Sequence, residues 1–213
     1  GGNGIASFTR LAATLTRIYA NNNGGDGVFV RTPASILVNS IEARENYGGY
    51  GAYLDNQVPS AIGTVTLWDT LFDNQFNGNH EDGLYIVSNN TINLRKVNAW
   101  DNTGNGVTLN NRVLDRALAV ILQRLSTGNN GLYGLLVTSR GAVSWTDGGS
   151  YSNGWNAGEE TVLNPDNVLI DNAGAYSFQS VTINRVNSNN SKFGNGIAIV
   201  SRGAVLLTDV NSD

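Results

Sequence analysis

A repeat runs along the chain from its first residues to its last. Eight segments follow the pattern Gly, apolar, any, apolar, with Asn replacing Gly in one of them. They begin at Gly4, Gly27, Gly51, Gly83, Gly106, Gly134, Asn167 and Gly196. The apolar residues alternate with a period of two, which is typical of strands and not of helices. Recurrence at this spacing predicts a solenoid, in which each unit packs against its neighbours.

A second apolar anchor follows in every unit, at Ala13, Ile36, Val65, Ile92, Val120, Val143, Val181 and Val205. Small or apolar residues recur two, five and seven positions after it. The step of two is one face of a strand, and the step of three indicates a bend that turns the chain inward again. Asn-rich tracts close the units, at residues 21–23, 46, 74, 102, 129–130, 153 and 189–190. Three short strands and three turns predict one coil of a parallel β-helix.

The spacing between the two anchors is also regular. It is 9, 9, 14, 9, 14, 9, 14 and 9 residues, so alternate units carry five additional residues, around 57–61, 113–117 and 173–177. This alternation indicates that a pair of coils was the unit of duplication. The prediction is therefore an all-β fold, a single-stranded parallel β-helix of about eight coils, with residues 1–213 in one domain.

Side-chain volumes support this register. Trp145 occupies an inward position where other units have Leu or Val, and the same unit has Gly148 and Ser150 at its next two inward positions. A close-packed interior requires this kind of compensation between large and small residues. We therefore expect Trp145 to be buried, with the small residues Gly148 and Ser150 leaving room for it in the same coil.

The repeat resembles that of the right-handed parallel β-helix, or pectate-lyase-like, superfamily. This superfamily contains pectate lyases, polygalacturonases, alginate epimerases, phage tailspikes and long bacterial surface proteins, and the chain is most similar in character to the surface proteins. The resemblance covers nearly the whole chain, and the repeat is its only motif. It implies right-handed coiling, an extracellular or cell-surface location and a bias toward polysaccharides, but a fold alone does not specify a reaction.

Composition excludes several classes of function. The chain has no Cys, which excludes disulfides, thiolate metal sites and cysteine catalysis. A net charge of −4, with scattered Lys and Arg, argues against a nucleic-acid partner. No apolar run approaches the roughly 18 residues that a membrane span needs. We predict no cofactor and no metal site.

The first strands carry a candidate binding surface on their outward face. Reading up the stack, the outward column contains Phe29, Tyr53, Tyr85 and, further along, Leu136. Arg31 and Asp55 belong to the neighbouring column. Adjacent exposed aromatic residues are unusual on a solvated face. Three interpretations remain open: coverage by a loop of this chain, contact with another protein chain, or stacking of sugar rings.

A weaker alternative is an acid/base cluster in the enlarged turn before Gly83. His80, Glu81 and Asp82 are adjacent there, and histidine beside carboxylates suits proton transfer. The cluster faintly resembles the histidine and acid residues of alginate epimerases, although Gly78 and Asn79 replace the Asp-Pro of that family. A solvated polar turn is the favoured interpretation.

Two further features are predicted to be structural. One outward column places opposite charges on adjacent coils, pairing Asp69 with Lys96, Arg124 with Asp147 and Arg185 with Asp209. Exposed pairs of this kind favour the correct register, but each contributes only ~0–1 kcal/mol. The longest excursion, residues 151–166, is either a contact arm or a cover for the core.

The two ends suggest the leading functional hypothesis. A regular coil begins at Gly4, and the sequence stops at Asp213 within another, with no segment that could cap either end. We expect a segment of a longer solenoid or a subunit that stacks through its ends. The predicted function is a non-catalytic structural or adhesive role outside the cell, with self-assembly head to tail into filaments. The alternative is binding or cleavage of a polysaccharide along the aromatic column.

Overall fold

The computed structural model describes residues 1–57, 63–112, 118–156, 165–174 and 178–213. This part of the chain is all-β, and none of it forms a helix that could cross a membrane. Most of the residues predicted to enlarge the alternate corners lie outside it, as does the middle of the 151–166 excursion. The described residues form two sheets.

The eight strands of the first sheet are β1 (Ile5–Phe8), β3 (Val28–Arg31), β5 (Ala52–Asp55), β8 (Leu84–Val87), β10 (Val107–Asn110), β12 (Leu135–Thr138), β14 (Val168–Asn172) and β16 (Ile197–Ser201). The second sheet contains β2 (Ala13–Tyr19), β4 (Ile36–Glu42), β6 (Val65–Trp68), β9 (Ile92–Trp100), β11 (Val120–Gly128), β13 (Val143–Tyr151), β15 (Val181–Asn189) and β17 (Val205–Ser212). The two-residue β7 (Asn74–Gln75) pairs with β4 and β9.

The chain alternates between the two sheets, and every pairing among the described strands is parallel. We use the word coil for a first-sheet strand together with the second-sheet strands that follow it. The predicted alignment of the second anchors is confirmed, since Ile92 pairs with Val65 and Val120. The all-parallel stacking is consistent with a β-helix or a similar solenoid.

Inward side chains from both sheets form one apolar core. Leu109 and Leu122, from β10 and β11, are both fully buried. Because strands stack in parallel at about 4.8 Å, each inward side chain packs on its counterparts in the coils above and below. Trp145 is fully buried, as predicted, and a Cβ at Gly148 would lie 2.8 Å from its Nε1.

Most second-sheet strands bend four residues after the anchor, where the backbone has positive φ. The φ values lie between 46° and 62° in Arg17, Ser40, Lys96, Arg124, Asp147, Arg185 and Asp209. Because of this bend, the next inward residue lies five positions after the anchor, whereas uninterrupted alternation would place it four positions after the anchor. The expected second and third strands are thus one bent strand in most coils. A left-handed conformation costs non-glycine residues about 1–2 kcal/mol each.

A ladder of asparagine side chains runs along one corner of the stack. Each Nδ2 donates to the Oδ1 of the next rung over 2.8–2.9 Å, and each backbone N–H donates to the same oxygen. The rungs are Asn23, Asn46, Asn79, Asn102, Asn130, Asn153 and Asn167. Six of them, from Asn46 to Asn167, are essentially fully buried. Their bonds satisfy polar groups that would otherwise be costly in the interior.

The asparagine ladder also explains the glycine that opens most units. A Cβ at Gly106 would lie 2.7 Å from Nδ2 of Asn130 and 2.6 Å from the carbonyl oxygen of Gly134. Both distances are too short for a carbon atom. Glycine is therefore required because the ladder occupies the space of its side chain.

The coil that contains β6 differs from the prediction. The sequence analysis gives Asn74 as the residue that closes this unit, but Asn79 is the one that lies in the ladder with the closing asparagines of the other coils. Four more residues follow Trp68, so Asn74 pairs with Val97 in an inward column and Phe76 is the large buried residue of the coil. The Asn74 side chain satisfies the interrupted backbone: its Nδ2 donates to the carbonyl oxygen of Trp68, and its Oδ1 accepts from the Ile41 N–H.

The corner after each first-sheet strand is built in two ways. In short corners a serine hydroxyl accepts a hydrogen bond from the backbone N–H two residues further along the chain. The Asn90 N–H donates to the Ser88 Oγ and the Gly141 N–H to the Ser139 Oγ, both over 3.0 Å. In the longer corners an Asn replaces the Ser and its Nδ2 donates to a carbonyl oxygen seven residues ahead. These bonds are Asn56 to Gly63, Asn111 to Leu118 and Asn172 to Gln179. One residue type therefore identifies which corners are enlarged.

Among the described residues, the charged column forms one of its three predicted pairs and not the other two. Lys96 contacts Asp69 at 2.8 Å, as predicted. Asp147, however, binds Arg185 through two hydrogen bonds of 2.6 and 3.0 Å and not Arg124. Arg185 thus binds Asp147 and not Asp209, whose charge acts on the guanidinium only at longer range. Because both side chains reach along the stack, adjacency in the column does not determine which charges meet.

Candidate functional site

The predicted aromatic column lies on the outward face of the first sheet. The parallel register aligns Phe29 with Tyr53 and Tyr53 with Tyr85. Neighbouring ring centroids are 5.1 and 5.2 Å apart, close to the spacing between strands. Phe8 extends the row, with its ring 5.2 Å from Phe29 and 71% of its surface exposed.

Tyr50 joins the row from the turn before β5, although the sequence analysis did not include it. Its ring centroid lies 5.5 Å from Tyr53 and 5.3 Å from Tyr85. The repeat does mark Tyr50 as an exception. The residue before each opening glycine is usually Asp or Asn, as in Asp26 and Asp82, and a tyrosine breaks that pattern. We call Phe8, Phe29, Tyr50, Tyr53 and Tyr85 the aromatic strip.

A charged pair borders the aromatic strip. The Arg31 Nε donates to Oδ2 of the buried Asp55 over 2.7 Å, and its guanidinium lies 5.7 Å from the centroid of the Phe29 ring. Asp55 raises the pKa of Arg31. The second Asp55 oxygen accepts the backbone N–H of Gln57 over 2.7 Å. The structure therefore brings together Arg31 and Asp55 as the sequence suggested, and both carboxylate oxygens are occupied.

Asp82 lies at the other border of the strip and is almost completely buried. Its oxygens accept from the Thr108 hydroxyl at 2.6 Å, the Asn105 N–H at 2.7 Å and the Asn105 Nδ2 at 3.3 Å. Burial raises the pKa of Asp82, although these hydrogen bonds oppose the shift. Asp26 accepts the Tyr50 N–H in the same way. This shared role indicates that Asp82 ties one coil to the next.

Tyr50 and Tyr85 of the strip hold their protons more tightly than a free tyrosine does, because their pKa values are raised. Burial, followed by the charges of Asp82 and Glu81, raises the pKa of Tyr50 to about 12. Burial also raises the pKa of Tyr85. A neutral phenol can both donate and accept hydrogen bonds, and its ring provides a flat apolar face.

The remaining residues of the predicted sites do not belong to the aromatic strip. His80 and Glu81 are exposed, while the side chain of Asp82 is directed to Thr108 and Asn105. Leu136 is half-buried and belongs to the same column, but Thr108 separates it from Tyr85. Within the described residues, no group of three His, Cys, Asp or Glu is placed to hold a metal ion.

The aromatic strip is suited to binding a flat, extended partner. Several rings follow one another at the strand spacing, with hydroxyl groups and one guanidinium beside them. The two carboxylates that border it, Asp55 and Asp82, already accept hydrogen bonds at both oxygens. They are therefore poorly placed for general acid/base work, which requires contact with a reacting proton.

Comparison with known proteins adds no relative: no family model, no curated protein and no solved structure matches this chain.

Proposed function

We propose that this chain is a non-catalytic structural or adhesive protein of the cell surface or extracellular space. In this proposal it is a single-stranded right-handed parallel β-helix of about eight coils, similar to those of the pectate-lyase-like superfamily. It assembles head to tail through its outermost coils.

The exposure of core positions in the last coil carries this proposal. Val205 and Leu207 continue the inward columns of Val181 and Ile183. Val181 and Ile183 are fully buried, whereas Val205 and Leu207 are 46% and 50% exposed. Another coil placed on β17 would bury them, and each fully buried aliphatic side chain contributes about 1.5–3 kcal/mol.

The opposite end supplies a matching surface. An open groove there is lined by inward residues of β1 and β2, among them Ile5, Leu15 and Ile18. If the register continues across two copies, Leu207 lies against Leu15 of the next copy. The same register places Asp209 beside Arg17, and the two charges are opposite. Apolar character and charge therefore agree with head-to-tail contact.

Substitution of two exposed leucines of β17, Leu207 and Leu206, tests the apolar part of this interface. We expect Leu207→Glu to abolish association of the chain in light scattering and electron microscopy, because a charge would be buried at the contact. Leu206→Glu is the matched control, since Leu206 is 58% exposed on the outer face of the same strand. A chain that remains monomeric at high concentration, or equal effects of both variants, would contradict the proposal.

Charge reversal tests the register of the same interface. Arg17→Asp and Asp209→Arg should each weaken association, and the double variant should restore it. Both residue types already occupy this bend with positive φ, as Arg124 and Asp147 show, so the variants should fold. Failure of the double variant to associate better than either single variant would refute this register.

A second candidate function is binding of a polysaccharide along the aromatic strip. The observation that favours it is the packing of Tyr50 against Tyr53 and Tyr85, which widens one column into a surface. Sugar rings would stack on the aromatic faces and accept hydrogen bonds from the neutral phenols. Cleavage is not expected, because the bordering carboxylates are occupied.

A glycan-array screen tests this candidate. We expect the parent chain to bind at least one extended glycan and Tyr53→Ala or Tyr85→Ala to lose most of that signal. Tyr19→Ala, an exposed tyrosine on the other sheet, serves as the control and should bind like the parent. Absence of binding by the parent, or undiminished binding by both strip variants, would remove the candidate. A bound glycan should yield no unsaturated product absorbing in the ultraviolet.

A further inference from the structure

A second groove lies on the outer face of the second sheet, away from the aromatic strip. It crosses β9, β11, β13 and β15, where their bends bring charged side chains to the surface. Its lining consists of Arg95, Gln123, Arg124, Thr146, Asp147 and Arg185. Three arginines thus converge on one groove in a chain whose net charge is −4.

The carboxylates near this groove are bound by cations other than Arg124. Asp69 contacts Arg95 at 3.0 Å and Lys96 at 2.8 Å. Asp147 is held by Arg185 through both of its oxygens. Arg124 forms no ion pair within the described part of the chain, although its charge acts on Asp147 at longer range and repels that of Lys96. The groove therefore retains one guanidinium that no carboxylate of the described residues binds directly.

The neighbours of Arg124 are chemically suited to an anion. The exposed Gln123 can donate through its amide and Thr146 through its hydroxyl. A guanidinium presents its N–H groups as a planar fork that matches the oxygens of a carboxylate, sulfate or phosphate. Arg185 lowers the pKa of Asp147, so that carboxylate stays ionised and remains engaged with its own partner.

We propose that this groove binds an oxyanion, with Arg124 as its principal ligand and Gln123 and Thr146 as supporting donors. The ligand is a sulfate or carboxylate group, either free or carried on an acidic polymer. Its binding is independent of end-to-end association and of the aromatic strip, because neither surface includes these residues.

Titration of the folded chain with inorganic sulfate, followed by backbone amide NMR, tests the proposal. Shifts should saturate and concentrate at residues 123–125 and 146–147. Arg124→Asn should weaken binding about tenfold or more, the usual effect of losing a charged hydrogen bond. Asn tolerates the positive φ at this position, so the variant should fold. Arg10→Asn removes the same charge elsewhere and should bind like the parent.

Two polymers distinguish the sources of the anion. Tight binding of dextran sulfate, lost in Arg124→Asn and absent for neutral dextran, would support an acidic polymer as the ligand. Saturable binding of inorganic sulfate without tighter binding of the polymer would support a free anion. Scattered or non-saturating shifts, or equal binding by the parent and Arg124→Asn, would overturn the proposal.

Discussion

Replacing Trp145 with alanine should lower the free energy of unfolding by about 3–5 kcal/mol, the usual cost of deleting a large buried aromatic side chain. Trp145 is the largest fully buried side chain among the described residues. The coil cannot readily refill the space, because the next inward residues are Gly148 and Ser150. Equilibrium unfolding in urea measures the effect.

Trp68→Ala provides the control for that experiment. Trp68 is 43% exposed on the outer face of β6, so its loss should cost less than about 1 kcal/mol. Comparable destabilisation by the two variants would show that Trp145 is not enclosed as the structure has it. Gly148→Val should also destabilise the chain, because the added atoms would collide with Trp145 and with the Leu125 backbone.

Replacing Asn102 with leucine should cost about 3 kcal/mol or more, although the two side chains are similar in size. Oδ1 of Asn102 accepts both the N–H and the Nδ2 of Asn79. Its Nδ2 donates to Asn130 and to the Phe76 carbonyl oxygen. Leucine would leave several of these buried groups unpaired, and each unpaired group costs about 1–3 kcal/mol. Thermal and urea unfolding measure the loss.

Asn93→Leu is the matched control for the asparagine ladder. Asn93 lies on the outer face of β9, and its neighbour in the next strand is already an isoleucine, Ile121. This substitution should change the free energy of unfolding by less than about 0.5 kcal/mol. If Asn102→Leu were equally mild, the ladder would not be the source of stability that its burial implies.

The register of the fold could be predicted because each coil repeats the same constraints. The second anchors align across the sheet as expected, and Trp145 is buried in the coil whose next inward residue is Gly148. These positions follow from period-two alternation and from the spacing of apolar residues. Both are properties of the backbone and of side-chain volume, which a single sequence contains.

The errors arose where a side chain or an insertion departs from the repeat. Four additional residues after Trp68 place the closing asparagine of this unit at Asn79 and not at Asn74, and spacing alone could not locate the insertion. The partner of Asp147 depends on the reach of flexible side chains, which adjacency does not specify. Tyr50 reaches the strip from a turn, outside the alternation that identified the other rings.

The asparagine ladder also gives the molecule a direction. From Asn23 to Asn153, each side-chain amide donates to the Oδ1 of the following rung, and none donates to the Oδ1 of the rung before it. Aligned amide dipoles add along the axis and polarise one another, as peptide dipoles do in a helix. Two copies related by a two-fold axis at the Asn23 end would bring carbonyl oxygens face to face. Symmetric closure is thereby disfavoured, and in the proposed head-to-tail assembly the dipoles of successive copies would point in the same direction.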